Sequence, residues 1–252
     1  MSGTSDGVLS GRRALVTGAS GGIGGALALH LARAGADVVL TWSGHREEAE
    51  EVAGRVRGLG REAAVVRCDL AVPGAGRSLV EQVLADLGPL DVVVANAGTG
   101  RRTDWREVDD ELWDQTFLVN TTAVWQTARA ALPGMVERGF GRLLLVSSVA
   151  ALNGGVVGPH YAASKAALHG LMHHLAPRVA GSGVTVNCIA PALITGTRIL
   201  PVDPDDPGAM PMPVPVGHLG TPDDVAGMAV AMLANPYLTD KVITVDGGLY
   251  PA

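Results

Sequence analysis

The sequence predicts one doubly wound α/β domain, a parallel sheet of seven strands with helices on both faces. Three observations predict it. Short apolar runs alternate with longer amphipathic ones along nearly all of the 252 residues. The short runs read as continuous Val, Leu and Ala, the pattern of strands buried on both faces. Glycine closes helix after helix, as a C-cap in the left-handed conformation requires.

The elements follow in order. Residues 13–17 are an apolar strand, and 22–34 an amphipathic helix closed by Gly35. The strand at 37–42 precedes a helix at 46–57 closed by Gly58. The strand at 63–68 precedes a helix at 76–87 closed by Gly88. Residues 91–95 form the fourth strand, followed by a long helix at about 111–138, broken or bent near Pro133, whose ring cannot donate to a helical hydrogen bond. Asp109, Asp110 and Glu111 suit the positive end of that helix rather than a catalytic carboxylate pair. A strand at 142–147, a helix at 160–180 and a strand at 184–189 come next. A proline-rich loop leads to a helix at 222–233, and 242–245 is the last strand. No linker, repeat or low-complexity tract divides the pattern.

Composition narrows the function. Hydrophobic residues make up 47% and charged ones 17%, which indicates a globular chain. The formal net charge of −6 argues against nucleic-acid binding. No apolar stretch reaches membrane-spanning length, and residues 1–10 lack the apolar core of a signal peptide, so a cytoplasmic protein is expected. Cys68 and Cys188 lie in apolar runs without metal-ligand spacing, and no metal is expected.

The run 17–24, Thr-Gly-Ala-Ser-Gly-Gly-Ile-Gly, joins the first strand to the first helix. A dinucleotide's pyrophosphate needs bare N–H groups at a helix N-terminus, and Cβ atoms would block it. Gly18, Ser20, Gly21, Gly22, Ile23 and Gly24 are therefore candidate cofactor residues. The second strand ends without the carboxylate that usually grips the ribose 2′-hydroxyl of NAD. Ser43, His45 and Arg46 stand there and can receive the 2′-phosphate of NADP, so NADP(H) is the preferred expectation and NAD(H) the alternative.

Only two of the 19 basic residues are lysine, and one, Lys165, follows Tyr161 by four residues, on the same face of a helix. An ammonium near a phenol favours the phenolate, so this pairing predicts a lowered Tyr161 pKa and a proton-transfer role.

With these residues the chain resembles the short-chain dehydrogenase/reductase family from about Gly11 to the C-terminus. The resemblance rests on the 17–24 loop, Asp69, the run Asn96-Ala97-Gly98, Asn120, Ser148, Tyr161, Lys165, Pro191 and the Val-Asp-Gly-Gly run at 245–248. It implies a Rossmann-type domain over residues 11–252 after a flexible tail at 1–10. It implies that Ser148 anchors a substrate carbonyl, that Tyr161 exchanges its proton and that Lys165 tunes Tyr161 and grips the nicotinamide ribose. Asn120 would hold a water on the proton route. Ser147 competes with Ser148 for the anchor, and the thirteen-residue offset to Tyr161 favours Ser148. Asp69 and Leu70 are expected at the adenine, Asn96, Ala97 and Gly98 along the adenosine, and Pro191 and Ile194 at the nicotinamide.

Three departures stand out. Ala95 replaces an Asn, Gly21 stands where many NADP-preferring members carry a basic residue, and Ala192 replaces a Gly, giving the nicotinamide-side loop a different path. Residues of about 195–218 correspond to the family's substrate lid; they are rich in proline and include Met210 and Met212, which adapt to irregular apolar ligands.

The general likeness is to 3-oxoacyl acyl-carrier-protein reductases and related ketoreductases. Two positions that offer arginine to the acidic carrier hold Gly139 and Pro177 here, with Arg138 and Arg178 one step away. Free and carrier-borne ketones, including polyketide-like ones, stay open. A homotetramer is the family expectation. His169, His173 and His174 on the Tyr161 helix are read as surface or interface residues, His160 as pointing away from Tyr161, and Trp113 and Trp125 as core or dimer-face residues. The competing hypothesis is an idle dinucleotide-binding subunit. The retained set Asn120, Ser148, Tyr161 and Lys165 favours an NADPH-dependent carbonyl reductase.

Overall fold

The structure is a computed structural model, and it describes residues 7–199 and 213–250. Seven parallel strands form one sheet, in the order β3-β2-β1-β4-β5-β6-β7. They are β1 (Arg13–Val16), β2 (Asp37–Trp42), β3 (Ala63–Arg67), β4 (Val92–Ala95), β5 (Gly141–Val146), β6 (Val184–Pro191) and β7 (Val242–Val245). The order reverses between β1 and β4, which places a crevice at the carboxyl ends of those two strands.

The helices are α1 (Gly22–Arg33), α2 (Arg46–Gly58), α3 (Ala75–Asp86), α4 (Asp110–Phe117), α5 (Ala123–Glu137), α6 (Ala150–Asn153), α7 (Pro159–Val179) and α8 (Pro222–Ala234). Two apolar layers result. One packs α1, α2 and α8 on the sheet through residues such as Leu27, Leu31, Val56 and Met232. The other packs α3, α5 and α7 on the opposite face through Leu79, Met135, Leu168 and Met172. Every residue of β4, β5 and β6 is buried, as in a parallel sheet covered by helices on both faces.

The long helix expected at about 111–138 breaks elsewhere than at Pro133. A π turn at Leu118–Thr122 separates α4 from α5. Pro133 sits inside α5 without ending it. Pro133 and Arg129 both face solvent, so water can satisfy the carbonyl that the proline leaves unpaired. Helix α2 runs one residue past its expected end, through Gly58, and the left-handed residue is Gly60, with φ of 77°.

Of the flexible tail expected at 1–10, residues 7–10 are described and packed. Leu9 is buried in the first apolar layer, and its amide donates to the Ala34 carbonyl at 2.8 Å, so the residues from Gly7 belong to the packed domain. Met1 to Asp6 lie outside the described residues, as does the lid between 200 and 212, including Met210 and Met212.

Candidate active site

The carboxyl ends of β1 and β4 are tied together by two side chains. Asn96 Nδ2 donates to the carbonyls of Thr17 (2.9 Å) and Gly18 (3.1 Å), while Thr17 Oγ1 accepts from the amides of Asn96 and Ala97, both at 3.0 Å. The glycine turn that follows has positive φ at Gly18 (65°), Gly21 (128°) and Gly22 (53°). A Cβ on Gly24 would collide with the Gly18 carbonyl, so this close turn needs glycine there. No side chain caps the N-terminus of α1. Its first amides therefore point a partial positive charge at the crevice, a cradle that fits a dinucleotide pyrophosphate.

A cavity of about 960 Å³ opens above this turn. It gathers nearly all the expected cofactor residues: Gly18, Ser20, Gly21, Gly22, Ile23, Gly24, Ser43, His45, Asp69, Leu70, Asn96, Ala97, Gly98, Pro191 and Ile194. Ser148, Tyr161 and Lys165 line it too. Arg46 does not. As the first residue of α2 it is exposed, and the buried residue of that turn is Ala49. Arg198 instead brings a guanidinium into the cavity wall, where its Nη2 lies 2.6 Å from Glu48 Oε2. The sequence gives no sign of this, since the two residues lie 150 positions apart.

Three expected side chains, Ser148, Tyr161 and Lys165, converge on the end of β5. Ser148 Oγ accepts from the Ala150 amide at 3.1 Å and donates to the Pro191 carbonyl at 3.5 Å. Burial pushes the Tyr161 phenol above its usual pKa, and the neighbouring Ser148 hydroxyl opposes this in part. This corrects the expectation that Lys165 would lower it. Lys165 Nζ donates to the Val146 carbonyl at 2.8 Å and stands 5.9 Å from the centre of the tyrosine ring. Burial lowers the pKa of Lys165 to about 8, and a nearby Cys188 works weakly the other way.

Asn120 lies behind the cavity wall, fully buried within the π turn. Its Oδ1 accepts from the Thr99 amide (2.8 Å), and its Nδ2 donates to the Thr99 carbonyl (2.9 Å) and to Ser164 Oγ (3.0 Å). A Cβ on Gly98 would meet Lys165 Nζ at 3.1 Å and Asn120 Oδ1 at 3.3 Å, so glycine here leaves a gap between the two. A Cβ on Gly100 would meet the Tyr161 ring at 2.8 Å.

Ser147 is not free to anchor a substrate. Its Oγ donates to the Lys165 carbonyl at 3.1 Å and pairs with His169 Nε2 at 2.9 Å. His173 pairs with Asp240 at 2.7 Å. Among the described residues no group of three or more His, Cys, Asp or Glu side chains could hold a metal. His160 is fully buried without a hydrogen-bond partner, and burial holds it below the usual imidazole range. Asp109 caps α4, accepting from the Leu112 amide at 2.8 Å, as its place at the helix start predicts. Trp113 stacks on Phe117 with ring centres 5.0 Å apart, and Trp113 and Trp125 are both over a third exposed, which removes them from the core.

Beyond Tyr161 the cavity is walled by Val119, Ala150, Val156, Val157, Leu193 and Leu249, with Gln115 and Asn153 as polar exceptions. Leu193, after Ala192, has φ of 50°, a left-handed conformation that an L side chain rarely adopts. The loop after Pro191 is thus strained one residue past Ala192, the position that holds glycine in the family pattern.

Comparison with known proteins agrees with this geometry. Residues 12–206 match the family model for short chain dehydrogenases. The 2-dehydro-3-deoxy-D-gluconate 5-dehydrogenase of Pseudoalteromonas atlantica is 36% identical over 244 residues, covering 95% of this chain and 96% of the relative. A 3-oxoacyl acyl-carrier-protein reductase of Staphylococcus aureus is 31% identical over 242 residues, covering 95% and 98%. The crystal structure of a 3-oxoacyl acyl-carrier-protein reductase from Agrobacterium tumefaciens with NADP bound superposes with a TM-score of 0.89 at 33% identity, covering 95% of each chain.

Proposed function

The chain belongs to the short-chain dehydrogenase family of NAD(P)-dependent oxidoreductases, and we propose that within it this protein is an NADPH-dependent ketoreductase. It reduces a neutral, largely apolar ketone to a secondary alcohol. The observation that carries the reading is geometric: Ser148, Tyr161 and Lys165 line the same cavity as the glycine turn at the start of α1. Burial keeps the Tyr161 phenol protonated at neutral pH, so it stands as the donor once charge develops on a carbonyl oxygen beside it.

The tasks then divide among the residues. Ser148 presents its hydroxyl to the carbonyl oxygen and steadies the charge developing there. Tyr161 protonates that oxygen. Lys165, charged below about pH 8, holds the ribose of the nucleotide and keeps positive charge beside the forming alkoxide. Asn120 fixes the loop at Thr99, and with it the wall that faces Tyr161. The glycine turn and the α1 amides hold the pyrophosphate. The nicotinamide, when bound, supplies the hydride.

The apolar wall of Val119, Ala150, Val156, Val157, Leu193 and Leu249 supports an acyl or polyketide-like ketone. Delivery by a carrier protein is less well supported, because Arg138 Nη2 is committed to the Leu90 carbonyl at 2.6 Å. A second reading, oxidation of a sugar-type secondary alcohol, is favoured by the 36% identity to the gluconate-type dehydrogenase. Assembly as a homotetramer is part of the proposal, and the partly exposed Trp113 and Trp125 supply apolar surface for it. Among the described residues no helix is long and apolar enough to cross a membrane.

A panel of β-ketoesters, cyclic ketones and sugar acids, each assayed with NADPH and NADH and in reverse with the alcohols, tests the reading. Turnover confined to sugar acids would replace the first reading with the second.

A further inference from the structure

The adenosine end of the cavity holds an internal ion cluster that the family pattern does not assign. Glu48 stands on the first turn of α2, and each oxygen of its carboxylate faces a nitrogen of another side chain. Oε2 is 2.6 Å from Arg198 Nη2, and Oε1 is 3.4 Å from His45 Nδ1. All three side chains line the same cavity, together with Ser43 at the end of β2. The carboxylate lies against the glycine turn, since a Cβ on Gly21 would meet Oε2 at 3.4 Å. From the other side the segment after β6 closes on that turn, with the Gly196 carbonyl 3.3 Å from where a Cβ on Gly22 would stand.

We propose that Arg198 and His45 are the seat of the cofactor's 2′-phosphate, and that Glu48 holds them as an internal counter-anion until that phosphate displaces it. The proposal rests on the NADPH reading above. A carboxylate gripped by a guanidinium, with an imidazole beside it that can turn an N–H toward an anion, resembles the cradle a phosphate monoester needs. Glycine at position 21 takes away the basic side chain that a side chain there could supply, and Arg46 faces solvent. Arg198 enters from the opposite wall and supplies the missing charge. The Glu48–Arg198 pair is about half exposed on both sides, so it is held weakly and opens readily. A phosphate near −2 competes for the guanidinium better than a carboxylate of −1. NADH offers no such anion and leaves the pair closed, which makes the cluster a discriminator between the two nucleotides.

Direct binding tests this without turnover. Nicotinamide fluorescence on titration with NADPH and NADH, at low and high salt, is compared for wild type, Arg198→Gln, Arg198→Lys and Glu48→Gln, with 2′,5′-ADP as a competitor. Arg198→Gln should weaken NADPH and 2′,5′-ADP about tenfold or more, the loss of one charge-assisted contact, and leave NADH within about twofold. Arg198→Lys should fall between, and Glu48→Gln should bind NADPH more tightly than wild type. The salt dependence of NADPH binding should drop in Arg198→Gln. If wild type prefers NADPH and Arg198→Gln keeps that preference intact, the assignment of Arg198 is overturned while the NADPH reading survives. If wild type itself prefers NADH, the NADPH reading fails and this proposal falls with it.

Discussion

Lys165 Nζ donates its 2.8 Å hydrogen bond to the carbonyl of Val146, the last residue of the strand that delivers Ser147 and Ser148. One of the three ammonium donors is thus committed to the backbone of β5, and the group is nearly out of reach of water. That burial lowers its pKa from 10.5 to about 8 and makes it a source of instability. Below about pH 8 the lysine is charged in both the folded and unfolded chain, and the full penalty applies. Between about 8 and 10.5 the unfolded chain binds the extra proton, so folded stability rises with pH. Lys165→Met should therefore melt several degrees above wild type at pH 7, by on the order of 3 kcal/mol less the lost bond to Val146. The gap should narrow as pH rises toward 10.5. Thermal melts of both proteins across pH 7 to 10 check it, and a gap that widens with pH would reverse the assignment.

Tyr161→Phe removes the proposed acid while keeping the ring. Ketone reduction should fall by about 10²- to 10⁴-fold in kcat, the usual contribution of a positioned proton donor. NADPH affinity, read by fluorescence, should stay within about threefold, because the phenol is not part of the phosphate cradle. A matching loss of cofactor binding would point to a collapsed site rather than a missing proton.

Much of the scaffold was legible because its signals are local. Val92 to Ala95 and Gly141 to Val146 are buried throughout, so an uninterrupted apolar run was enough to place them in a parallel sheet. The glycines at 18, 21, 22 and 24 were legible because a helix N-terminus at a phosphate demands bare backbone. The illegible parts depend on neighbours distant in sequence. The π turn at Leu118–Thr122 exists because Asn120 reaches Thr99 and Ser164, and nothing in its own five residues announces that. Pro133 carried the stronger local signal and had no effect, because its partner carbonyl faces solvent. The Tyr161 pKa turned on two facts of packing, the depth of its burial and the direction of the Lys165 ammonium. Arg198 was invisible for the same reason, since its partner Glu48 lies across the cavity.

Gly100→Ala should separate positioning of Tyr161 from cofactor binding. The added methyl would stand 2.8 Å from Cδ2 of the tyrosine ring and 3.3 Å from Val157 Cγ1, closer than packed carbons tolerate. The ring must shift by a fraction of an ångström, which moves the hydroxyl away from Ser148. A loss of about ten- to a hundredfold in kcat is expected, with the NADPH dissociation constant unchanged. Stopped-flow single turnovers would assign the loss to the chemical step; unchanged turnover would mean that the loop, not the ring, gives way.

Asn120→Ala tests whether the π turn serves stability as well as the site. The asparagine satisfies both backbone groups of Thr99, amide and carbonyl, and donates once more to Ser164 Oγ, which itself donates to the Tyr161 carbonyl. Alanine leaves the Thr99 groups without that partner in a buried setting, which costs about 1–3 kcal/mol for each group not rescued by water. The urea midpoint should fall accordingly with an unchanged slope, since the same surface is exposed on unfolding. Amide exchange at Thr99 should accelerate well before global unfolding, because the loop from Gly98 to Thr103 loses its tie to the helix. Turnover should fall with it, since that loop carries Gly100 against the Tyr161 ring. Asn120→Asp separates the two roles: it keeps an acceptor for the Thr99 amide but loses both donors and buries a charge, so its stability loss should exceed that of alanine at pH 7 and shrink as acid protonates the new carboxyl. A variant with wild-type exchange at Thr99 but lowered turnover would confine Asn120 to chemistry and remove it from the scaffold.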